Sequence, residues 1–172
     1  MAATLDTKST NAAPGLARKH VLRLGLAALV ASLTAPPRRA AHAADPVRVP
    51  APQKPWDKVE FTFPGAAREL PGIAVRLPQS AGGGLCAVCR ICPHEGCSFG
   101  YETDFATVGG IIGKDLDHPV FFCRCHFSTF DPARDGTVLY GPSPRPPWRF
   151  EVREDGGELL VTGAEPGTGE IG

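Results

Sequence analysis

Two short cysteine-histidine boxes are the residues of this chain best suited to chemistry. The first box is Cys92-Pro93-His94-Glu95-Gly96-Cys97, and the second is Cys123-Arg124-Cys125-His126-Phe127-Ser128. Together they offer two thiolates and two imidazoles, spaced C-x-H and C-x-x-H. This donor set suits an asymmetric [2Fe–2S] centre, in which cysteines hold one iron and histidines hold the other. Because imidazoles are neutral donors, such a centre accepts an electron more easily than a four-cysteine centre does.

Tetrahedral zinc is the main chemical alternative, since two cysteines and two histidines also satisfy that metal. Zinc ligands usually follow the spacings C-x₂₋₄-C and H-x₃₋₅-H. The pattern here is C-x-H followed by C-x-C-H, which favours the iron-sulfur centre. Iron content and a visible absorption spectrum distinguish the two metals.

The boxes and their flanks resemble the Rieske iron-sulfur proteins over residues 56–164, most specifically over residues 91–142. The iron ligands that this resemblance implies are Cys92 and Cys123 for one iron, and His94 and His126 for the other. It also implies a disulfide between Cys97 and Cys125 that ties the two loops together. A stable disulfide would require an oxidising compartment.

An all-β fold is expected from the composition and from the resemblance, which implies a Rieske-type antiparallel base domain with an inserted [2Fe–2S] cluster-binding subdomain. Glycine and proline are abundant, at 20 and 18 residues, and long apolar stripes of helical period are absent after residue 44. The predicted strands are Val59–Phe63, Ile73–Leu77, Leu85–Ile91, Val120–Cys123, Thr137–Tyr140, Arg149–Val152 and Leu159–Thr162. Gly141–Pro147 resembles a third, proline-rich loop that walls the cluster off from water.

The segments outside this domain are predicted to be an export signal, a linker and a tail. In residues 1–44 a basic stretch with Arg18-Lys19 leads into an apolar run, Leu24–Ala35, and then into Ala41-His42-Ala43. The segment resembles a twin-arginine signal in which lysine replaces the second arginine, and it is either cleaved or kept as a membrane anchor. Residues 45–55 are expected to be a linker, and residues 165–172 a flexible tail.

Two residues of the second box are expected to tune the redox potential. The resemblance implies that the hydroxyl of Ser128 donates to a bridging sulfide and raises the potential. Phe130 stands where many Rieske proteins carry a tyrosine that donates to a ligand sulfur. We therefore expect a potential below that of the tyrosine-bearing proteins and above that of a four-cysteine cluster.

The resemblance implies an electron-transfer subunit on the periplasmic side of the cytoplasmic membrane, with no substrate chemistry of its own. The partners expected for a quinol:cytochrome c reductase are cytochrome b- or c-type subunits, a quinol donor and a soluble cytochrome c-like acceptor. The run His126–Pro132 also resembles the small subunit of arsenite oxidase, whose partner is a molybdopterin-containing large subunit. The net charge is zero, which argues against a nucleic-acid partner. No residues remain for the mononuclear iron domain of a ring oxygenase.

Three further signals receive structural interpretations. Cys86 and Cys89 are expected to pack as small apolar residues on a strand, with a second disulfide as the alternative. His118 is expected to be an exposed loop histidine. The 28 residues between His94 and Cys123 form a longer connection than Rieske proteins usually have, and residues 101–119 are interpreted as a surface loop that can dock a partner.

Overall fold

Antiparallel strands form three sheets in residues 45–171, the part of the chain that the computed structural model describes. The strands are β1 (Val47–Pro50), β2 (Lys58–Pro64), β3 (Glu69–Arg76), β4 (Leu85–Cys89), β5 (Gly100–Glu102), β6 (Val120–Phe122), β7 (Thr129–Asp131), β8 (Thr137–Tyr140), β9 (Phe150–Asp155) and β10 (Glu158–Ala164). The sheet orders are β1-β10-β9, β2-β3-β4 and β5-β6-β7-β8. One α-helix, α1, spans Phe105–Ile112.

The sheet β2-β3-β4 is the middle layer, and its two faces pack against different partners. On β3, Ile73 and Val75 join the cluster of buried residues shared with β6 and β7. Ala74, between them, joins the core shared with β9 and β10. Successive side chains of a strand point to opposite faces, so a strand buried on both sides reads as a continuous apolar run. The short apolar runs of β3 and β4 are explained by this placement.

The third sheet, β5 to β8, is inserted in the chain between β4 and β9, while β1 pairs with β10 to complete the first sheet. This arrangement confirms the expected antiparallel base with an inserted subdomain. The strands of the inserted sheet pair over short stretches, in which Tyr101 lies opposite Phe121 and Phe121 lies opposite Phe130. The inserted sheet anchors the two loops that precede β5 and β7.

Helix α1 covers the outer face of the inserted sheet. Asp104 caps its first turn by accepting a hydrogen bond from the backbone N–H of Thr107 at 3.2 Å. Gly113 ends it in the left-handed region, with φ of 67°. Val108 and Ile112 pack against β6. The stretch interpreted from the sequence as a surface loop therefore contains a helix anchored by buried side chains.

All seven predicted strands are present, with ends that differ by a few residues. The sequence prediction missed β1, β5 and β7. Strand β1 lies within residues 45–55, where a linker was expected. The predicted export segment, residues 1–44, lies outside the described residues. Within residues 45–171 no helix combines the length and the apolar character that a bilayer crossing needs.

The C-terminal segment after β10 contacts the base domain. The guanidinium of Arg68 donates to the carbonyl of Gly169. The carboxylate of Glu165 accepts from the backbone N–H of Arg149 at 3.0 Å and from the guanidinium of Arg145. Residues 165–171, expected to be a flexible tail, are thus tied to β9 and to the loop before it.

Candidate metal centre

The two cysteine-histidine boxes form neighbouring loops at one end of the inserted sheet. The first ligand loop, residues 92–97, connects β4 to β5, and the second ligand loop, residues 123–128, connects β6 to β7. In each loop the backbone N–H of the first cysteine donates to the carbonyl of the last residue, at 2.8 Å in the first and 2.9 Å in the second. Each loop is thus closed on itself. The second loop begins directly after β6, and the first begins three residues after the end of β4.

A disulfide joins the two ligand loops. Cys97 and Cys125 are bonded, and their Cα atoms lie 6.6 Å apart. The disulfide expected from the resemblance is therefore present. Because the disulfide fixes one loop against the other, it restrains the relative positions of the donor atoms of the two loops even without bound metal.

The four predicted ligands separate by burial into an inner pair and an outer pair. Cys92 and Cys123 are each 1% exposed and pack beneath the loops. The side chains of His94 and His126 are 26% and 47% exposed. Their rings meet edge to face, with centroids 4.9 Å apart. Two sulfur donors therefore lie inside and two nitrogen donors face solvent.

The inner pair lies in an environment that disfavours charge. Burial raises the pKa of the Cys92 thiol, and the adjacent Cys123 thiol raises it further, while a hydrogen bond with the His94 backbone lowers it. A metal that binds thiolates has to displace these protons, which couples metal binding to proton release. Two close thiols in an apolar pocket are stable as neutral groups and become anions only beside a compensating cation.

Ser128 provides an independent test of whether these residues fit an iron-sulfur group. Its side chain is fully buried, yet within residues 45–171 its hydroxyl has no hydrogen-bond partner. Buried hydroxyls nearly always have a partner, so this one implies an acceptor that the polypeptide does not supply. The hydroxyl lies close enough to Cys92 to lower the pKa of that thiol, but not in a geometry that makes a hydrogen bond with it. An unsatisfied donor beside buried sulfur ligands fits a [2Fe–2S] group.

Phe130 is completely buried beneath the second ligand loop. Its ring lies 5.3 Å from that of Phe99, measured between centroids, and it shares an apolar cluster with Cys92 and Cys123. The position expected to lack a tuning hydroxyl is thus in the same pocket as the inner sulfur pair. Its ring excludes water from that pocket without offering a hydrogen bond.

The proline-rich loop, residues 141–147, begins in direct contact with the second ligand loop. Gly141 has φ of 92°, and a Cβ atom built there would lie 2.6 Å from Cα and 2.7 Å from the backbone nitrogen of Ser128. Only glycine combines this conformation with so close an approach. The predicted third loop is therefore packed on the backbone of a ligand loop.

Two features of the ligand loops escaped the sequence prediction. The carboxylate of Glu95 lies 3.7 Å from His94 Nε2 and 3.6 Å from His126 Nδ1. The available signal was a charged residue directly after the histidine of the first box. Phe127 adopts φ of 61°, a conformation that costs a side chain free energy, at the place where Rieske proteins usually have glycine. Its ring is 45% exposed beside His126.

The prediction for His118 was wrong. Its side chain is 19% exposed, and its Nε2 lies 2.8 Å from the fully buried carboxylate of Asp131. Its ring stacks on Trp56 at a centroid distance of 5.1 Å. Burial raises the pKa of Asp131, but hydrogen bonds from Arg134 and His118 outweigh that effect, so the net pKa is lowered. These contacts tie the segment after α1 to the strand that follows the second ligand loop.

Cys86 and Cys89 pack as the sequence predicted. Both are free thiols and buried. They belong to different cores, Cys89 to the one beside β9 and β10 and Cys86 to the one beside β6 and β7, so they face away from each other and form no second disulfide. Burial raises the pKa of Cys86 to about 12, which keeps this thiol neutral and unreactive at neutral pH.

The curated relatives of this chain include two iron-sulfur subunits of the same kind. The chain is 28% identical over 81 residues to the cytochrome b6-f complex iron-sulfur subunit of Chlorobaculum tepidum, a match that covers 47% of this chain and 36% of the relative. It is 34% identical over 65 residues to the chloroplastic cytochrome b6-f complex iron-sulfur subunit of Bigelowiella natans, covering 38% of this chain and 25% of the relative. The chain thus spans about a third or less of the length of these curated relatives.

Among solved structures, the plasma membrane Rieske protein PetC3 from the cyanobacterium Synechocystis PCC 6803 is similar at 25% identity. The match covers 59% of this chain and 84% of that protein, with a TM-score of 0.41. Residues 58–159 match the family described as Rieske [2Fe-2S] domain. This match extends over more than half of the chain and includes the two ligand loops and both cores. The chain therefore belongs to the Rieske family, whose domain binds a [2Fe–2S] cluster.

Proposed function

We propose that this protein is an exported Rieske electron-transfer subunit of a respiratory oxidoreductase of the quinol:cytochrome c reductase type. The observation that carries the proposal is the separation of the donor set: two buried thiols lie beneath two exposed imidazoles, in loops joined by a disulfide. A centre built in this way is shielded on its sulfur side and open on its nitrogen side. An electron donor therefore approaches the imidazoles.

In this proposal Cys92 and Cys123 hold the inner iron, and His94 and His126 hold the outer iron. The cluster supplies a site that takes up and releases one electron. Ser128 supplies a hydrogen-bond donor to it from within the fold. The two imidazoles supply exposed ring nitrogens at which the proton of a donor hydroxyl can be held, so that proton and electron move together.

The names of the curated relatives support the bc type. Both are iron-sulfur subunits of cytochrome b6-f complexes. By this likeness the partners are cytochrome b- and c-type subunits of a membrane complex, with a quinol as donor and a soluble cytochrome c-like protein as acceptor. The relatives are matched over only part of their length, so the proposal of this assembly rests on the shared Rieske domain alone.

Two independent features support export to the periplasmic side. Residues 1–44 have the basic stretch, apolar run and small residues of an export signal. The disulfide between Cys97 and Cys125 is of a kind that persists in oxidising compartments. Fusing the full chain to a reporter that is active only outside the cytoplasm tests this part of the proposal, and an inactive reporter on a fusion protein that accumulates intact would refute it.

Spectroscopy of the purified full chain tests the ligand assignment. We expect iron and acid-labile sulfide in equal amounts, with a visible and electron paramagnetic resonance spectrum typical of a cluster with two nitrogen ligands. Cys92→Ala or His126→Ala should abolish that spectrum. Cys86→Ala is the matched control, since Cys86 is an equally buried thiol outside the ligand loops, and it should keep the spectrum. A spectrum that survives either ligand substitution would overturn the assignment.

A small subunit of an arsenite oxidase-like molybdenum enzyme is the second candidate. It is favoured by the run His126–Pro132, which resembles the corresponding stretch of that subunit. Purification of the chain with its native partners separates the candidates. A cytochrome b supports the bc type, whereas a molybdopterin-containing large subunit supports the second.

A further inference from the structure

Glu95 lies within 4 Å of both exposed imidazoles. One of its carboxylate oxygens lies 3.7 Å from His94 Nε2, and the other lies 3.6 Å from His126 Nδ1. A single side chain thus contacts one imidazole of each ligand loop. These distances exceed those of good hydrogen bonds, so the interaction acts mainly through the charge of the carboxylate.

In the described part of the chain, this carboxylate forms no ion pair with a lysine or an arginine. Within residues 45–171, no lysine or arginine nitrogen lies within 4.0 Å of Glu95, whose side chain is 59% exposed. Arg124, the arginine of the second ligand loop, is paired with Glu102 at 2.8 Å and lies over the ring of Phe122. Arg124 is thus paired with Glu102 and not with Glu95. The Glu95 carboxylate beside the exposed imidazoles therefore has no lysine or arginine partner among the described residues.

We propose that Glu95 is a positioning residue of the redox centre, which acts through His94 and His126 to lower its midpoint potential. The inference rests on the proposed function, since it takes these histidines as ligands. A carboxylate beside an imidazole orients the ring and makes it a stronger electron donor to a metal. The same negative charge repels an added electron. Both effects favour the oxidised form.

The test compares midpoint potentials of the full chain at one fixed neutral pH. Glu95→Gln removes the charge and keeps the shape, and we expect its reduced-to-oxidised ratio at a given applied potential to rise about tenfold, equivalent to about 59 mV for one electron. Glu95→Asp keeps the charge and should shift less. Glu158→Gln is the matched control, because Glu158 lies on β10 and pairs with Arg48. It should leave the potential unchanged.

Ionic strength supplies a readout that a purely structural role would not move. The difference between wild type and Glu95→Gln should shrink between about 0.01 M and about 1 M salt, since an exposed charge is screened. An unchanged or lowered potential in Glu95→Gln, with a normal two-nitrogen spectrum, overturns the role of Glu95 alone. If the wild-type spectrum lacks that signature, the proposed function fails instead.

A second neutral variant, Glu95→Ala, covers the case in which glutamine disturbs the loop. Should neither neutral variant retain the chromophore, the wild-type chain and Glu158→Gln are titrated with salt instead. The proposal then requires the potential of both to rise as salt screens Glu95. A potential that stays constant or falls overturns it.

Discussion

At the scale of single residues, the buried hydroxyl of Ser128 and the buried ring of Phe130 control the surroundings of the inner sulfur pair. The Ser128 hydroxyl is a hydrogen-bond donor that has no partner in the described part of the chain. The Phe130 ring carries no hydrogen-bond donor. They lie on the same short segment, two residues apart. We expect the two positions to shift the midpoint potential in opposite directions when they are exchanged for alanine and tyrosine.

Ser128→Ala should lower the midpoint potential and leave stability nearly unchanged. A hydrogen bond to a charged acceptor contributes about 1.5 kcal/mol, equivalent to about 60 mV for one electron. Because the hydroxyl has no hydrogen-bond partner in the described part of the chain, the substitution removes no hydrogen bond within the polypeptide. Spectroelectrochemistry measures the shift. Ser98→Ala is the control, because Ser98 is exposed and directly follows the first ligand loop. It should leave the midpoint potential unchanged.

Phe130→Tyr should raise the midpoint potential, by about 60 mV or less, if the new hydroxyl donates to a ligand sulfur. The residue is in the same apolar cluster as Cys92 and Cys123, so an added hydroxyl has sulfur within its pocket. Phe150→Tyr is the control, since Phe150 is buried in the other core. An unchanged potential in a Phe130→Tyr protein that keeps its chromophore would show that the carried-over role of this position is wrong.

At the scale of elements, the site depends on loops held by their neighbours. The ligand loops extend from β4 and β6, the disulfide joins them, and the proline-rich loop packs on the second of them through Gly141. None of these loops has a core of its own. Their geometry therefore depends on the close contacts between them.

Gly141→Ala should destabilise the protein by about 2 to 4 kcal/mol, since it adds an atom against the Ser128 backbone in a left-handed conformation. Gly82→Ala is a matched control, because Gly82 has φ of 86° and nothing within 4 Å of a built Cβ. The Gly82→Ala substitution should lower the free energy of unfolding by only about 1 to 2 kcal/mol. Thermal unfolding of both variants, followed by circular dichroism and by the cluster absorbance, measures the difference. Equal losses would mean that contact with Ser128 is unimportant.

At the scale of the whole described region, residues 45–171, three sheets and one α-helix are held together by a middle layer that is buried on both faces. The two cores meet across β3 and β4, so the inserted sheet is positioned by the base sheet beneath it. A second tie is polar: Asp131, at the end of β7, binds His118 and Arg134. This contact fixes the segment after α1 to the inserted sheet.

Asp131→Asn should destabilise the protein at neutral pH by about 2 kcal/mol, and the loss should shrink in acid. The pKa of Asp131 is lowered in the folded state, so its contribution is complete above the unfolded value of about 3.9 and is lost as the pH falls through the folded value. Urea unfolding midpoints of wild type and variant from about pH 7 to about pH 3 check this. Asp155→Asn, at an exposed site, is the control. A difference that stays constant with pH contradicts the prediction.

The sequence by itself determined the chemistry and the outline of the fold. The donor types and their spacing predicted the cluster, and the resemblance to Rieske proteins implied the disulfide partners. Short β-like runs predicted seven of the ten strands in residues 45–171. These features are local: a box of six residues or a strand of five carries its own pattern. Strands β5 (Gly-Tyr-Glu) and β7 (Thr-Phe-Asp) each hold a single apolar side chain, which is too little for a pattern, and β1 ends on Pro50 in a proline-bearing stretch. Strands β6 and β8 are as short, but most of their residues are apolar.

Only the tertiary structure decided how distant residues meet at the site. His118 binds Asp131 across 13 residues, Glu95 approaches an imidazole of the other loop, and Gly141 abuts Ser128. Each contact depends on the relative placement of two loops, which follows from the packing of β3 and β4 against the inserted sheet. Local sequence carries no record of that packing, because side chains that are far apart along the chain interact only after the sheets have assembled.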